Sequence, residues 1–366
     1  MATITESTTP AYVPGRSIKE AQQASGLTEI LKLASNENAL GPSPRARAAI
    51  EAALAELHLY PGEEHEAALL QKLAGWLGAG LGVKNLVLGN GSADVLRFIT
   101  QTFIEPGDRA VIAAPTFRVY EILVKLYGGQ VTLAPLRDYR VDSAALLSAI
   151  DDEVKLVFIC NPNNPTGSLM THDEVHSFLR RVPPRVITVI DEAYMDFADD
   201  PALPRMPELI QAGYNVIVTR TFSKLYGLAS LRMGYGLGRP DLIAAVQRQK
   251  LHFHTGRIAL AGAIAALDDT EHVARTQEMV RTGREFFYRR LPELGLKCLP
   301  SQGNFIFLVD LPMDALALCD AALRRGLILR PTDSFDLPEN IRITIGRPED
   351  NERVIHILRE ILVSSQ

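Results

Sequence analysis

The sequence predicts an α/β protein: a large domain built on a mostly parallel seven-stranded sheet flanked by helices, followed by a smaller α/β domain. Three observations lead there. Seven short apolar runs, NLVLG, AVIAA, VTLAP, LVFIC, VITVI, NVIVT and MGYGL, alternate with longer helical stretches between Asn85 and Leu237. Runs that are apolar on both faces belong to a parallel sheet sandwiched by helices. After about Arg248 the pattern changes to long helices and then to NFIFLVDL, GLILRP and NIRITIG, which read as a second, small sheet. Finally, 366 residues suffice for two domains at about 100 to 200 residues each.

Taken in order, residues 1–40 lack strong periodicity and end in the turn formers ASNENALGPSP, so they read as an extended arm before the first helix. That helix should run from Pro44 to about Leu57 and stop before Tyr60-Pro61-Gly62. The large domain is assigned to 41–250 and the small domain, with a long connecting helix, to 251–366. Charged residues at 22% and hydrophobic ones at 47% exclude disorder. A net charge of −5 argues against a broad grip on nucleic acid or anionic lipid, so small-molecule or protein partners are expected. Cys160, Cys298 and Cys319 lie in apolar runs without CxxC spacing and read as buried thiols of a reducing compartment. With no export signal or membrane-length apolar stretch, a soluble cytoplasmic protein is expected.

Ligands of a parallel sheet bind beyond the carboxyl ends of its strands, so the residues just after each apolar run carry the functional reading. After NLVLG comes Asn90-Gly91-Ser92-Ala93-Asp94, where glycines and a following helix suit an anion; a plain strand-to-helix turn is the alternative. LVFIC leads into NPNNPTG, a rigid loop with side-chain amides. VITVI runs into Asp191-Glu192-Ala193-Tyr194, which sets a carboxylate at the rim of an apolar strand, costly unless a cation or donors face it; the alternative is a helix cap. NVIVT ends in Arg220-Thr221-Phe222-Ser223-Lys224, with Arg232 eight residues after the lysine. Lys224 is one of only nine lysines, and partial desolvation there would make it a nucleophilic amine. A Schiff-base lysine, an acid for a pyridinium nitrogen and a phosphate cradle are the groups that pyridoxal phosphate requires. His172-x₃-His176 has helical spacing but lacks further ligands, so no metal site is expected.

The motifs NPNNPTG, DEAY and TFSKLYGLASLRMGYG, in this order, resemble the fold-type I pyridoxal-phosphate aminotransferases. The arm, the tetrapeptide LYPG and the ending IRITIGRPEDN resemble the histidinol-phosphate branch of that family. The resemblance implies transfer of an amino group between L-glutamate and imidazole-acetol phosphate, ping-pong through pyridoxamine phosphate, in a homodimer. An aromatic or other amino-acid aminotransferase, or a phosphothreonine-type decarboxylase of the same fold, are the alternatives. It further implies that Lys224 bonds the cofactor and moves the α-proton, that Asp191 pairs with the ring nitrogen, and that Asn164 and Tyr194 face the phenolic oxygen. Phe117 would stack on the ring, and Ser92, Ala93, Thr221, Ser223 and Arg232 would hold the phosphate. Tyr60 would reach the phosphate of the neighbouring subunit, while Tyr12, Asn38, Arg330 and Arg342 would bind substrate. In LHFHTGR the chain departs from the family's usual asparagine-rich segment, so His252, His254 and Arg257 are candidates for altered specificity, Arg257 as a third anion contact or a plain surface charge.

Overall fold

A computed structural model describes residues 15–364. Seven strands form the main sheet: β1 (Leu86–Gly89), β2 (Arg109–Ala114), β3 (Gln130–Pro135), β4 (Val154–Cys160), β5 (Ile187–Asp191), β6 (Val216–Thr221) and β7 (Gly234–Gly238). Their spatial order is β1-β7-β6-β5-β4-β2-β3. Neighbours are parallel except at β7, which runs antiparallel to both β1 and β6. β1, β4, β5, β6 and β7 are buried along their length apart from Lys155, which explains their unbroken apolar runs, while β3 at the edge is largely exposed. The parallel register puts Cys160 beside Asp191 and Asp191 beside Thr219, so the polar ends of three strands converge.

Two glycines of β7 are there because the start of the helix after β1 approaches closely. A Cβ on Gly234 would meet Ser92 N at 2.3 Å, and one on Gly236 would meet Val95 at 2.7 Å. Helix α1 (Ser92–Phe103) can therefore settle onto the sheet with its first turn at the carboxyl end of β1.

The arm is not simply extended. Ser17 and Glu20 form a capping box that starts a helix over Ile18–Ser25, and Gly26 ends it in the left-handed conformation. The SIKE motif carries that signal, which the lack of longer periodicity obscures. The helix predicted from Pro44 becomes α-helical over Pro44–Ala53 and tightens into a 3₁₀ turn at Leu54–Glu56. GLILRP also divides. Leu327–Ile328 pairs in parallel with Leu31–Lys32 of the arm, and Arg330–Pro331 joins an antiparallel sheet with Ile341–Thr344, Phe305–Val309 and Lys297–Leu299. Thr344 N then donates to Leu33 O at 2.8 Å, so arm and small sheet form one surface facing the large sheet's rim. Helix Arg257–Leu267 packs on helices Pro44–Ala53 and Glu63–Leu77, and the long helix is Thr270–Arg290. No helix among the described residues is long and apolar enough to cross a membrane.

Candidate active site

At the carboxyl ends of β1, β4, β5 and β6 lies a cavity of about 290 Å³. Ser92, Ala93, Phe117, Asn164, Asp191, Tyr194, Thr221, Ser223, Lys224 and Arg232 line it from the large sheet. Gly15, Ala34, Ser35, Glu37, Arg330, Phe335 and Arg342 close it from the arm and the small sheet.

Asp191, only 3% exposed, is the last residue of β5. Tyr120 Oη donates to its Oδ2 at 2.8 Å and Thr219 Oγ1 to its Oδ1 at 3.0 Å. Burial pushes the carboxyl up, against those hydrogen bonds, the Ala193 backbone and the charge of Lys224. Its side-chain donors are neutral, so a cationic partner in the cavity would hold it ionised. The adjacent Glu192, just past the strand, is already matched by Arg220 at 2.7 Å.

Lys224 Nζ donates to Ser35 O at 3.0 Å and lies 5.7 Å from the Tyr194 ring. Burial, then the positive charges of Arg342, Arg232 and Lys32, lower its pKa from 10.5 to about 7, with Glu37 opposing. A sizeable fraction of Nζ is then neutral near pH 7, as a nucleophilic amine must be. Tyr194 Oη accepts from Asn36 Nδ2 at 3.1 Å, and burial raises its hydroxyl to about 12, so it stays protonated.

An anion cradle stands at the near end. The first-turn N–H groups of Ser92 and Ala93 open helix α1, where a helix offers donors and a positive dipole end. Thr221 Oγ1 donates to Ser223 Oγ at 3.0 Å, and Arg232 Nη1 to the same Oγ at 3.3 Å. Gly91 has φ +84, and a Cβ there would sit 2.5 Å from the Arg232 guanidinium. Arg232 itself adopts φ 53, a left-handed backbone that costs a non-glycine residue about 1 kcal/mol or more. The strain lies at the one cation of the cradle.

Opposite, Arg342 donates to Ala34 O at 2.8 Å and to Asn164 Oδ1, which leaves the Asn164 amide nitrogen for the cavity. Arg330 donates to Ser334 Oγ at 2.9 Å and lies over the Phe335 ring at 5.7 Å. These two guanidiniums come from facing strands, Arg330 paired with Arg342 in register.

Not every predicted residue reaches the cavity. Asn38 does not: its amide donates to Leu225 O at 2.8 Å and splints the turn after Lys224. Tyr60 is 76% exposed, away from its own chain's cavity, and stacks on Phe253 at 4.6 Å. Tyr12 lies outside the described residues. Arg257 is neither a cavity residue nor a free surface charge, since it pairs with Glu56 and donates to Tyr60 O at 3.1 Å. Tyr120 went unpredicted, although it lies three residues after Phe117 in APTFRVY, with the two rings edge to face at 5.7 Å. Ser35 and Glu37 carry no pattern of their own; only the docking of the arm brings them in.

This geometry can be set against known proteins. The model for aminotransferase class I and II matches residues 28–358, and the chain belongs to that family. A curated histidinol-phosphate aminotransferase of Symbiobacterium thermophilum is 41% identical over 96% of this chain and 96% of its own. The crystal structure of histidinol-phosphate aminotransferase from Sinorhizobium meliloti in complex with pyridoxal-5'-phosphate superposes with a TM-score of 0.88 at 31% identity, covering 97% of this chain and 96% of that one. A mutant of Thermus thermophilus aspartate aminotransferase, 19% identical, shares the fold with a TM-score of 0.85 over 99% of this chain and all of its own.

The family's cofactor is pyridoxal phosphate. The cavity suits it on independent grounds: a depressed lysine, a buried carboxylate whose side-chain donors are all neutral, and a cradle of helix N–H groups and one arginine that glycine keeps open.

Proposed function

We propose that this chain moves an amino group between L-glutamate and imidazole-acetol phosphate, using the residues gathered in the cavity. The observation that carries the reading is one cavity joining a lysine with a pKa of about 7, a buried carboxylate and three arginines, in a chain about 40% identical to histidinol-phosphate aminotransferases.

Pyridoxal phosphate, when bound, supplies an electron sink for the charge released at the substrate's α-carbon. Ser92, Ala93, Thr221, Ser223 and Arg232 hold its phosphate, and Phe117 covers a ring face. Asp191, kept in place by Tyr120 and Thr219, holds a proton on the ring nitrogen. Asn164 and Tyr194 would donate to the phenolic oxygen. Lys224 Nζ would bond the cofactor at rest and, once released as a neutral amine, would take the α-carbon proton and return it. Arg330 and Arg342 offer paired N–H donors that fit a carboxylate or a phosphate, so the same pair serves two substrates in turn. The walls from the arm and small sheet exclude water around them.

The active enzyme is a homodimer in which Tyr60 of one subunit reaches the phosphate site of the other. Exposed Leu251 and Phe253 at one surface cavity, with exposed Tyr60 stacked on Phe253, support this, because large apolar side chains gathered on a surface mark an interface. The free thiols Cys160, Cys298 and Cys319 support work in the cytosol.

The deciding experiment incubates the purified enzyme with glutamate and a panel of keto substrates that includes imidazole-acetol phosphate, and follows 2-oxoglutarate. Preferred use of the imidazole substrate is expected. Its failure to accept an amino group, with other keto acids active, would reject the substrate and leave the chemistry.

A further inference from the structure

Behind the anion cradle lies a polar cluster that none of these roles uses. Asp94 sits in the first turn of α1, directly after Ala93. Its Oδ2 accepts from the Asn90 backbone N–H at 3.0 Å, and its Oδ1 accepts from Arg97 Nε at 3.0 Å. From the departing segment LHFHTGR, His254 Nε2 is in hydrogen-bond contact with Asp94 Oδ2. A carboxylate only accepts, so the Nε2 proton lies in that contact. Asn90 Nδ2 closes the ring by donating to His254 O at 3.2 Å, and the imidazole rests on Phe98 at 5.3 Å between centroids. Both side chains are largely buried, at 13% exposure each.

Two physical consequences follow. The loop Gly89-Asn90-Gly91 has little stiffness of its own, and ordering a loose loop when a ligand binds costs affinity. A carboxylate in the first turn also competes with any other anion at that helix end, unless its charge is drawn elsewhere. His254 bears on both, since its imidazole engages the Asp94 Oδ2 that also takes the Asn90 N–H, and its carbonyl takes the Asn90 amide.

Building on the cofactor reading above, we propose that His254 is a positioning residue for the cofactor phosphate: through Asp94 and Asn90 it holds the Gly89–Ala93 loop in its binding shape. The test measures pyridoxal-phosphate affinity of cofactor-free protein by absorbance titration, with the ³¹P shift of the bound phosphate as a second readout. His254→Ala should weaken binding about tenfold or more, the range for a hydrogen bond to a charged group, and move the ³¹P signal. His254→Gln, whose amide nitrogen can replace Nε2 as donor, should recover most of both. Exposed His252, two residues earlier, serves as the control, and His252→Ala should change neither. If His254→Ala does not fold, Asn90→Ala opens the same ring of contacts from the other side and should show the same loss. Parent-like affinity in the alanine variant, or a glutamine variant no better than alanine, would overturn the inference. A parent chain that took up no pyridoxal phosphate would instead overturn the cofactor reading on which it rests.

Discussion

The two walls of the cavity are built on different principles. On the large-sheet side, Asp191, Thr221 and the loop before Ser92 sit at the ends of strands locked by hydrogen bonding, and Lys224 follows three residues after β6. On the other side, Ser35, Glu37, Arg330 and Arg342 reach the cavity only because Leu31–Lys32 pairs with Leu327–Ile328 and Thr344 bonds Leu33. The first wall is fixed within one sheet, while the second depends on an arm docking on a distant segment. Chemistry should therefore concentrate on the first wall and substrate choice on the second.

The sharpest way to break that division is at Lys224. Lys224→Ala should lower transamination by on the order of 10⁴-fold or more, because both the covalent attachment and the proton carrier are lost. Borohydride should no longer link the cofactor to the protein, and a covalent adduct in that variant would remove Lys224 from its role. Asp191→Asn comes next, at roughly 10³-fold in rate, since the size is kept and the charge is lost. Its melting temperature should not fall, because burial already disfavours the ionised form in the cofactor-free chain. Near-normal turnover would make Asp191 a structural residue. On the second wall, Arg342→Ala and Arg330→Ala should each cost about 2 kcal/mol or more in kcat/KM. Unlike the first pair, they should act on both substrates, and Arg330→Ala should leave the cofactor spectrum in place. A change in that spectrum would mean that the two walls are not separable.

This division also explains what the sequence discloses. Strand-end logic finds Asp191, Lys224 and the Ser92 loop because the apolar run and the polar residue after it are adjacent in the chain. It misses Tyr120, whose hydroxyl reaches Asp191 only after a helix folds back over β4 and stacks the ring on Phe158 at 5.3 Å. Nor does it reveal that Asn38 turns toward Leu225, or that GLILRP serves two sheets, since both depend on the arm's docking. The capping box at Ser17 and Glu20 was there to read, but an eight-residue helix gives too few turns for periodicity to stand out.

Proton affinity sharpens the comparison with a smaller effect. Uptake of pyridoxal phosphate by the cofactor-free chain should speed up as pH rises through about 7, where Lys224 Nζ loses its proton, and then level off. Because the folded pKa lies below the ordinary 10.5, protonated Lys224 burdens the native state. That burden is fully present below pH 7, shrinks between 7 and 10.5, and is gone above. Cofactor-free Lys224→Met should therefore be more stable than the parent at pH 6, with the difference closing as pH rises. An uptake rate still climbing steeply above pH 9 would show an unperturbed lysine.

The smallest effect is expected at Arg257, which belongs to neither wall. Its Nη2 donates to Tyr60 O at 3.1 Å and its Nη1 pairs with Glu56, so it braces the turn that carries Tyr60 rather than meeting a substrate anion. In the proposed dimer that turn serves the neighbouring cavity, and the brace therefore acts on cofactor binding across the interface. Exposed ion pairs contribute about 1 kcal/mol or less, and Glu56 is half exposed, so Arg257→Ala should weaken pyridoxal-phosphate affinity only about threefold. The loss should disappear in a Tyr60→Ala background, where the brace has nothing left to position. Glutamate and the phosphorylated substrate should suffer equally, because neither touches Arg257. A loss confined to the phosphorylated substrate would place the guanidinium at the second wall after all, and a full loss persisting without the Tyr60 side chain would detach Arg257 from the turn.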